Sequence, residues 1–116
     1  MDISIERIGG GRRRTIRAEL AETFSQKMKG LMFSKPKNIL FLLEPGRKFL
    51  GIHSFFVFFP FDAVYIEGRN GKRRVVEVVR QIRPFVFYLR NTKPADYLLE
   101  MTEENDLEVG DVLEWK

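Results

Sequence analysis

His53 is the single histidine in a chain of 116 residues that contains no cysteine, and a histidine is the side chain whose ordinary pKa lies nearest neutrality. Acid–base chemistry would look to it first. Ser54 follows directly, but neighbouring strand residues point to opposite faces, so the pair does not make a base with its nucleophile. The plain reading of His53 is a core or pocket-wall histidine with a satisfied hydrogen bond. Asp62 follows Pro60 at a turn, where a carboxylate accepts backbone N–H bonds and organises the chain. The functional alternative sets His53 and Asp62 at the two ends of one strand, flanking a pocket walled by Phe55, Phe59 and Tyr88. Ligand sites are commonly apolar clefts with few placed polar groups.

Arg80, Arg83 and Arg90 alternate with Phe85, Phe87 and Tyr88, the composition of single-strand nucleic-acid surfaces, in which cations hold phosphate and rings stack bases. Solvated arginine heads above core phenylalanines give the same string, and Glu67, Glu77 and Asp96 dilute the patch. No second and third ligand stand at metal-site spacing, so no metal is expected, and no cofactor motif is present. Gly9-Gly10-Gly11 could cradle a phosphate only between a strand and a helix. Arg12 onward reads as extended, so the glycines are better taken as a hairpin connection. Arg12-Arg13-Arg14 is the solvated exit of that hairpin.

The elements that would carry these groups are mostly strands. Ile3 and Ile5 alternate with polar neighbours in the first, and Arg12 to Leu20 places Ile16, Ala18 and Leu20 on one face of the next. Thr23 caps a helix expected over Phe24 to Leu31, closed by Gly30 and kept from resuming by Pro36. Ile39 to Leu43 is a short buried strand ended by Pro45-Gly46. In the strand that follows, His53, Phe55, Val57 and Phe59 share one face and Ile52, Ser54, Phe56 and Phe58 the other. Both faces are apolar, as in a strand between two packed layers, or one with a face lining a cavity or meeting a partner. Pro60 ends it, and Ala63 to Ile66 begins another.

Asn70-Gly71 supplies both left-handed positions of a two-residue hairpin turn, with Val75 to Ile82 returning. Phe85 to Leu89 reads as an edge strand or ordered loop. Ala95 to Met101 is extended with Tyr97, Leu99 and Met101 on one face, Thr102 to Leu107 forms a short helical turn, and Val109 to Trp115 closes the chain as a strand. The fold class is therefore mainly β, α+β at the margin: a jelly-roll-like β-sandwich or partly open barrel with one or two short helices, in one domain over residues 1–116.

Composition bounds the rest. Hydrophobic residues at 44% with 31% charged are ordinary for a folded globular chain. The absence of cysteine removes disulfides, thiolate nucleophiles and cysteine metal ligands. A charge of +4 permits attraction to nucleic acid or anionic surfaces without establishing either. The first residues, MDISIERIGGGRRR, lack an apolar signal segment, and the longest apolar stretch, Phe49 to Ile66, is broken by Gly51, His53, Ser54, Pro60 and Asp62. A cytoplasmic protein with no membrane partner is expected. Its many charges of both signs suit a heat-adapted one.

Gly30-Leu31-Met32-Phe33, Ile39-Leu40-Phe41, Pro60-Phe61-Asp62, Asn70-Gly71, Pro94-Ala95-Asp96-Tyr97-Leu98-Leu99-Glu100 and Val109-Gly110-Asp111 follow one another in an order that resembles the domain of unknown function 192 family, in an archaeal-like member without a signal peptide. The likeness runs from about Glu19 to Leu113. It implies a compact, mainly β, jelly-roll-like domain with no established activity. Family members often carry a Trp-Met-Lys-Asn-Thr-like segment before the Pro-hydrophobic-Asp turn, where this chain has Ser54-Phe55-Phe56-Val57, so a function resting on that lysine, asparagine or threonine does not transfer. The expected role is a small binding or interaction module for a small molecule or protein, with an apolar-aromatic surface or pocket near His53 and Asp62. The alternatives are an enzyme using those two residues and a single-stranded nucleic-acid binder using Arg80 to Arg90.

Overall fold

The computed structural model describes residues 1–6, 14–21, 35–43, 51–52, 57–69, 72–84 and 89–115. Among them are the strands β1 (Asp2–Glu6), β2 (Arg14–Arg17), β3 (Glu19–Ala21), β4 (Ile39–Leu42), β5 (Gly51–Ile52), β6 (Phe61–Arg69), β7 (Lys72–Ile82), β8 (Leu89–Arg90), β9 (Tyr97–Met101) and β10 (Val112–Glu114). Eight form one sheet in the order β2-β1-β10-β7-β6-β9-β4-β3, and β5 pairs with β8 separately. Neighbours are antiparallel except β3 and β4, which are parallel. The protein is mainly β, with no helix among the described residues.

Edge strands β2 and β3 lie at opposite ends of this order, yet only Ala18 separates them along the chain. One residue cannot span a flat eight-stranded sheet, whose strands lie roughly 4.8 Å apart, so the sheet curls until its edges meet. The result is a partly open barrel. Arg12 to Leu20 was expected as one strand; it breaks at Ala18, because its two halves serve opposite edges. Ala18 N donates to Met1 O at 3.0 Å, and the Met1 ammonium donates to Ala18 O at 2.9 Å. The expected facing holds across the break, since Ile16, Ala18 and Leu20 all contribute to the same apolar cluster.

That cluster fills the inside of the curl with Ile3, Ile5, Leu40, Val64, Ile66, Val75, Leu99, Met101 and Leu113. A second cluster, on the outer face of the central strands, holds Ala21, Ile39, Phe41, Val57, Phe61, Ala63, Tyr65, Ile82 and Leu98. Every residue from Phe61 to Ile66 is buried, odd positions outward and even positions inward. Burial on both faces is thus found in β6; of the strand expected before Pro60, which was to be buried in the same way, residues 53–56 lie outside the described residues. Residues 57–60 are irregular: Val57 is buried, Phe59 packs on the outer cluster, and Phe58 is 63% exposed. Pro60 lacks the N–H a ladder needs, which suits it to ending such a segment.

Other expectations are met or corrected locally. Arg69 pairs with Lys72, leaving two residues for the Asn70-Gly71 turn, and β1 and β2 pair antiparallel on either side of the three glycines. The helical turn at Thr102 to Leu107 is absent. Asn105 Oδ1 accepts the Leu107 N–H at 3.2 Å, a local side-chain bond that competes with helix. The last strand starts at Val112 rather than Val109, after Gly110 turns the chain at φ 101°. The helix expected over Phe24 to Leu31 lies outside the described residues.

Asn38 pins the corner where β3 and β4 begin. It is 8% exposed, its Nδ2 donates to Arg17 O (2.9 Å) and Glu103 Oε1 (2.7 Å), and its Oδ1 accepts the Thr102 N–H (3.1 Å). Asn38→Ala strands a backbone carbonyl and a backbone N–H at once. Urea melts should show a loss of about 2–4 kcal/mol; a loss below about 0.5 kcal/mol would mean the corner holds without it.

Candidate functional site

Asp62, the second residue of β6, is 6% exposed and lies on the inward-facing positions with Val64 and Ile66. Opposite it the ladder carries an extra residue, since Phe61 pairs with Ile82 while Ala63 pairs with Val79. Such a bulge bends the bulged strand and needs an unusual backbone at one position. Here Gln81 takes φ 53°, the left-handed region that side chains other than glycine seldom adopt. Asp62 Oδ1 accepts the Gln81 N–H at 2.8 Å and so supports that conformation. Oδ2 accepts from Arg80 Nη1 at 3.0 Å and from Asn105 Nδ2 at 2.9 Å. Arg80 also donates to Asn105 Oδ1 at 2.6 Å and to Leu107 O. The carboxylate does accept a backbone N–H, from the β7 bulge rather than from the Pro60 turn.

This is a structural clamp between the end of β7 and the 105–107 segment, with its acceptors already engaged. Asp62→Ala leaves Gln81 N without its acceptor and the Arg80 guanidinium without its carboxylate. Thermal and urea unfolding should show a loss of roughly 2–4 kcal/mol, with Asp62→Asn recovering part of it. Unchanged melting for Asp62→Ala would remove the clamp from the account.

Of the other residues singled out in the sequence, Arg80 joins this clamp, and Phe59 and Arg83 do not. His53, Phe55 and Tyr88 lie outside the described residues. Phe59 packs on the outer cluster, across the sheet from Asp62. Arg80 directs its donors inward to Asp62, Asn105 and Leu107. Arg83 is exposed, and Arg90 belongs to β8, with its side chain outside the described set. Among the described residues no group of three or more histidine, cysteine or carboxylate side chains could hold a metal ion.

Sequence reasoning passed over Glu100. It sits in the middle of the outer face, 5% exposed, paired across β9 with Ile39 on one side and Ala63 on the other. The row continues to Glu19 and to Val79. Leu98, two residues earlier on the same face, is fully buried. No described residue donates a hydrogen bond or an ion pair to the Glu100 carboxyl, and burial pushes its pKa from 4.5 up to about 8. The signal was present: placing Tyr97, Leu99 and Met101 on one face of an extended segment puts Glu100 with Leu98 on the other. It becomes readable only once that face is known to be covered.

The folded state therefore holds a proton on Glu100 that the unfolded chain has released. Its stabilising linkage is fully present below pH 4.5 and is lost as pH rises toward 8, above which stability stays flat. Chemical denaturation from pH 5 to pH 9 should show a decline of several kcal/mol, and Glu100→Gln should abolish it and raise stability at pH 9. A wild-type profile with no slope in that window would place the carboxyl in water.

The DUF192 family model, described as an uncharacterized ACR, matches residues 5–115. The UPF0127 protein of Pyrococcus furiosus is 31% identical over 111 residues, covering 90% of this chain and 91% of that one. The UPF0127 protein of Pyrococcus horikoshii is 29% identical over 102 residues, covering 83% and 84%. A crystal structure of a protein of unknown function from Novosphingobium aromaticivorans superposes with a TM-score of 0.79 at 22% identity, over 98% of this chain and 84% of that one. A crystal structure from Sinorhizobium meliloti gives 0.79 at 21%, over 97% and 91%. These two likenesses concern the fold alone.

Proposed function

This chain belongs to the DUF192 family, and we propose that it is a small single-domain binding module whose docking surface is centred on Phe58, at the rim of the covered outer face of β6, β9 and β4. The observation that carries this reading is the apolar rim of that face. Phe58 is 63% exposed, while its chain neighbours Val57 and Phe59 both pack on the outer cluster. Large apolar side chains exposed beside a core cluster mark where a partner or ligand removes surface from water. The reading keeps the expected apolar-aromatic surface and moves it away from Asp62, whose acceptors are engaged in the clamp.

A cytoplasmic, heat-adapted protein fits the same reading. The chain is rich in charges of both signs and free of cysteine, and no helix among the described residues is long and apolar enough to cross a membrane. The enzymatic alternative draws on Glu100, since a carboxyl titrating near 8 is suited to proton transfer. Catalysis would also need a second polar group in contact with it, and among the described residues none is bonded to it.

Benzyl alcohol, a small uncharged apolar probe, tests the surface directly. Titrated into isotope-labelled protein, it should shift the amide resonances of residues 57–59 and 43 as one group. Phe58→Ser should weaken binding about three- to tenfold, the worth of one contact in an apolar site, without lowering the melting temperature. Shifts scattered over the whole surface would end the proposal.

A further inference from the structure

At the end of the curl away from the Asp62 clamp, the last inward positions of five neighbouring strands come together. They are Leu42 on β4, Tyr97 on β9, Gly68 on β6, Arg73 on β7 and, one residue past β10, Trp115. Each stands two residues from a member of the inner cluster, respectively Leu40, Leu99, Ile66, Val75 and Leu113, and all five of those are 1% exposed or less. The rim itself meets water: Leu42 is 43% exposed, Gly68 is exposed, and Arg73, Tyr97 and Trp115 are only partly buried.

Arg73 is held in position on this rim. Its guanidinium carbon lies 4.0 Å from the centre of the Trp115 ring and 5.7 Å from that of Tyr97. The two rings meet edge to face at 5.0 Å, and Arg73 Nη1 donates to Trp115 O at 2.8 Å. Stacking occupies the flat face of a guanidinium and leaves its edge, which carries five N–H groups, for acceptors in its plane. Among the described residues one acceptor, Trp115 O, uses that edge. Gly68, paired with Arg73 across the ladder, leaves room beside the Tyr97 ring, since a Cβ on it would stand 3.3 Å from Tyr97 Cε2.

We propose that this rim is a site for an amphipathic monoanion, an aromatic carboxylate whose head group takes the edge of Arg73 while its ring lies over Leu42 and Tyr97. The guanidinium edge matches a carboxylate in geometry and charge, and Leu42 and Tyr97, paired across β4 and β9, supply the apolar and aromatic surface beside it. The mouth of a barrel is a common place for such a combination. A single negative charge fits better than a phosphate dianion or a nucleic-acid backbone. Asp96, whose Oδ2 accepts the Gly68 N–H at 2.7 Å, adds a negative charge to the same rim, and the neighbouring cations Lys72 and Arg74 alternate onto the other face of β7. The site is separate from the surface around Phe58, whose neighbours Val57 and Phe59 pack on the outer cluster.

Trp115 is the only tryptophan of the chain, so its fluorescence and its indole N–H resonance report on this rim alone. Benzoate should change both saturably and shift the Arg73 Nε–H resonance with them. Benzyl alcohol, similar in shape and without the charge, should act on Trp115 about tenfold more weakly or less. Arg73→Gln should weaken benzoate by about tenfold or more. Leu42→Ser, at a position already exposed, should weaken it about three- to tenfold with the melting temperature unchanged. Should Arg73→Gln fail to fold, Leu42→Ser and the Arg73 Nε–H shift of the unaltered protein decide. Benzoate that leaves Trp115 and Arg73 unmoved, or benzyl alcohol that equals it at Trp115, would overturn the site. Inorganic phosphate or a single-stranded oligonucleotide displacing benzoate at lower concentration would overturn the assignment to a monoanion. The benzyl alcohol shifts of residues 57–59 are read on other resonances, so the Phe58 surface stands or falls independently.

Discussion

Six consecutive residues, Phe61 to Ile66, are sealed on both sides, and this double burial constrains the rest of the molecule. A strand covered on both faces needs two separate layers, and the chain provides them differently. The inner layer is the sheet itself, curled far enough to pack β1, β10 and β7 against β6, β9 and β4. The outer one includes Val57 and Phe59, brought across the face just before Pro60. Burial on both faces also means that a polar group inside the run must be satisfied on the spot. Asp62 is that group, and the Gln81 bulge and Arg80 supply its partners.

The two buried acids of the central strands show how one constraint gives opposite outcomes. Asp62 lies at the end of β6, where irregular backbone and the 105–107 segment bring donors within reach. Glu100 lies in a regular part of the ladder, where the backbone N–H groups are already committed to neighbouring strands and cross-strand positions are aliphatic. A carboxylate at a strand end can borrow backbone donors; one in mid-strand can borrow only side chains, and none of the described ones reaches it. Position in the ladder, rather than residue type, separates the acid with donors among the described residues from the one without them.

Much of the fold was legible because its signals are local. Asn70-Gly71 placed a hairpin that the Arg69–Lys72 pairing matches, and the alternation of Ile16, Ala18 and Leu20 gave the correct face even though the strand breaks. The break was not legible, because Ala18 is a corner only in relation to strands far away in sequence. The same holds for the site. Asp62 was correctly seen as a backbone acceptor, but its partner Gln81 becomes a neighbour only when β6 and β7 pair with a bulge. Glu100 was missed because an acid in Leu-Leu-Glu-Met reads as the solvent edge of a half-buried strand until the second layer is known.

The outermost pairings of the sheet bear on how the chain reaches this state. Ser4 pairs with Glu114 and Glu6 with Val112, so the first strand waits for the last. During synthesis from the N-terminus, β1 and β2 can form only a two-stranded ribbon, marginal in water by itself. Its apolar Ile3 and Ile5 lack their β10 neighbour until Val112–Glu114 have left the ribosome. Joining segments so distant in sequence carries the largest loop-closure cost in the fold, which points to slow acquisition of the native state. Closure of the curl is thus a late event, and the interval before it is when the chain is most open to association with its own copies.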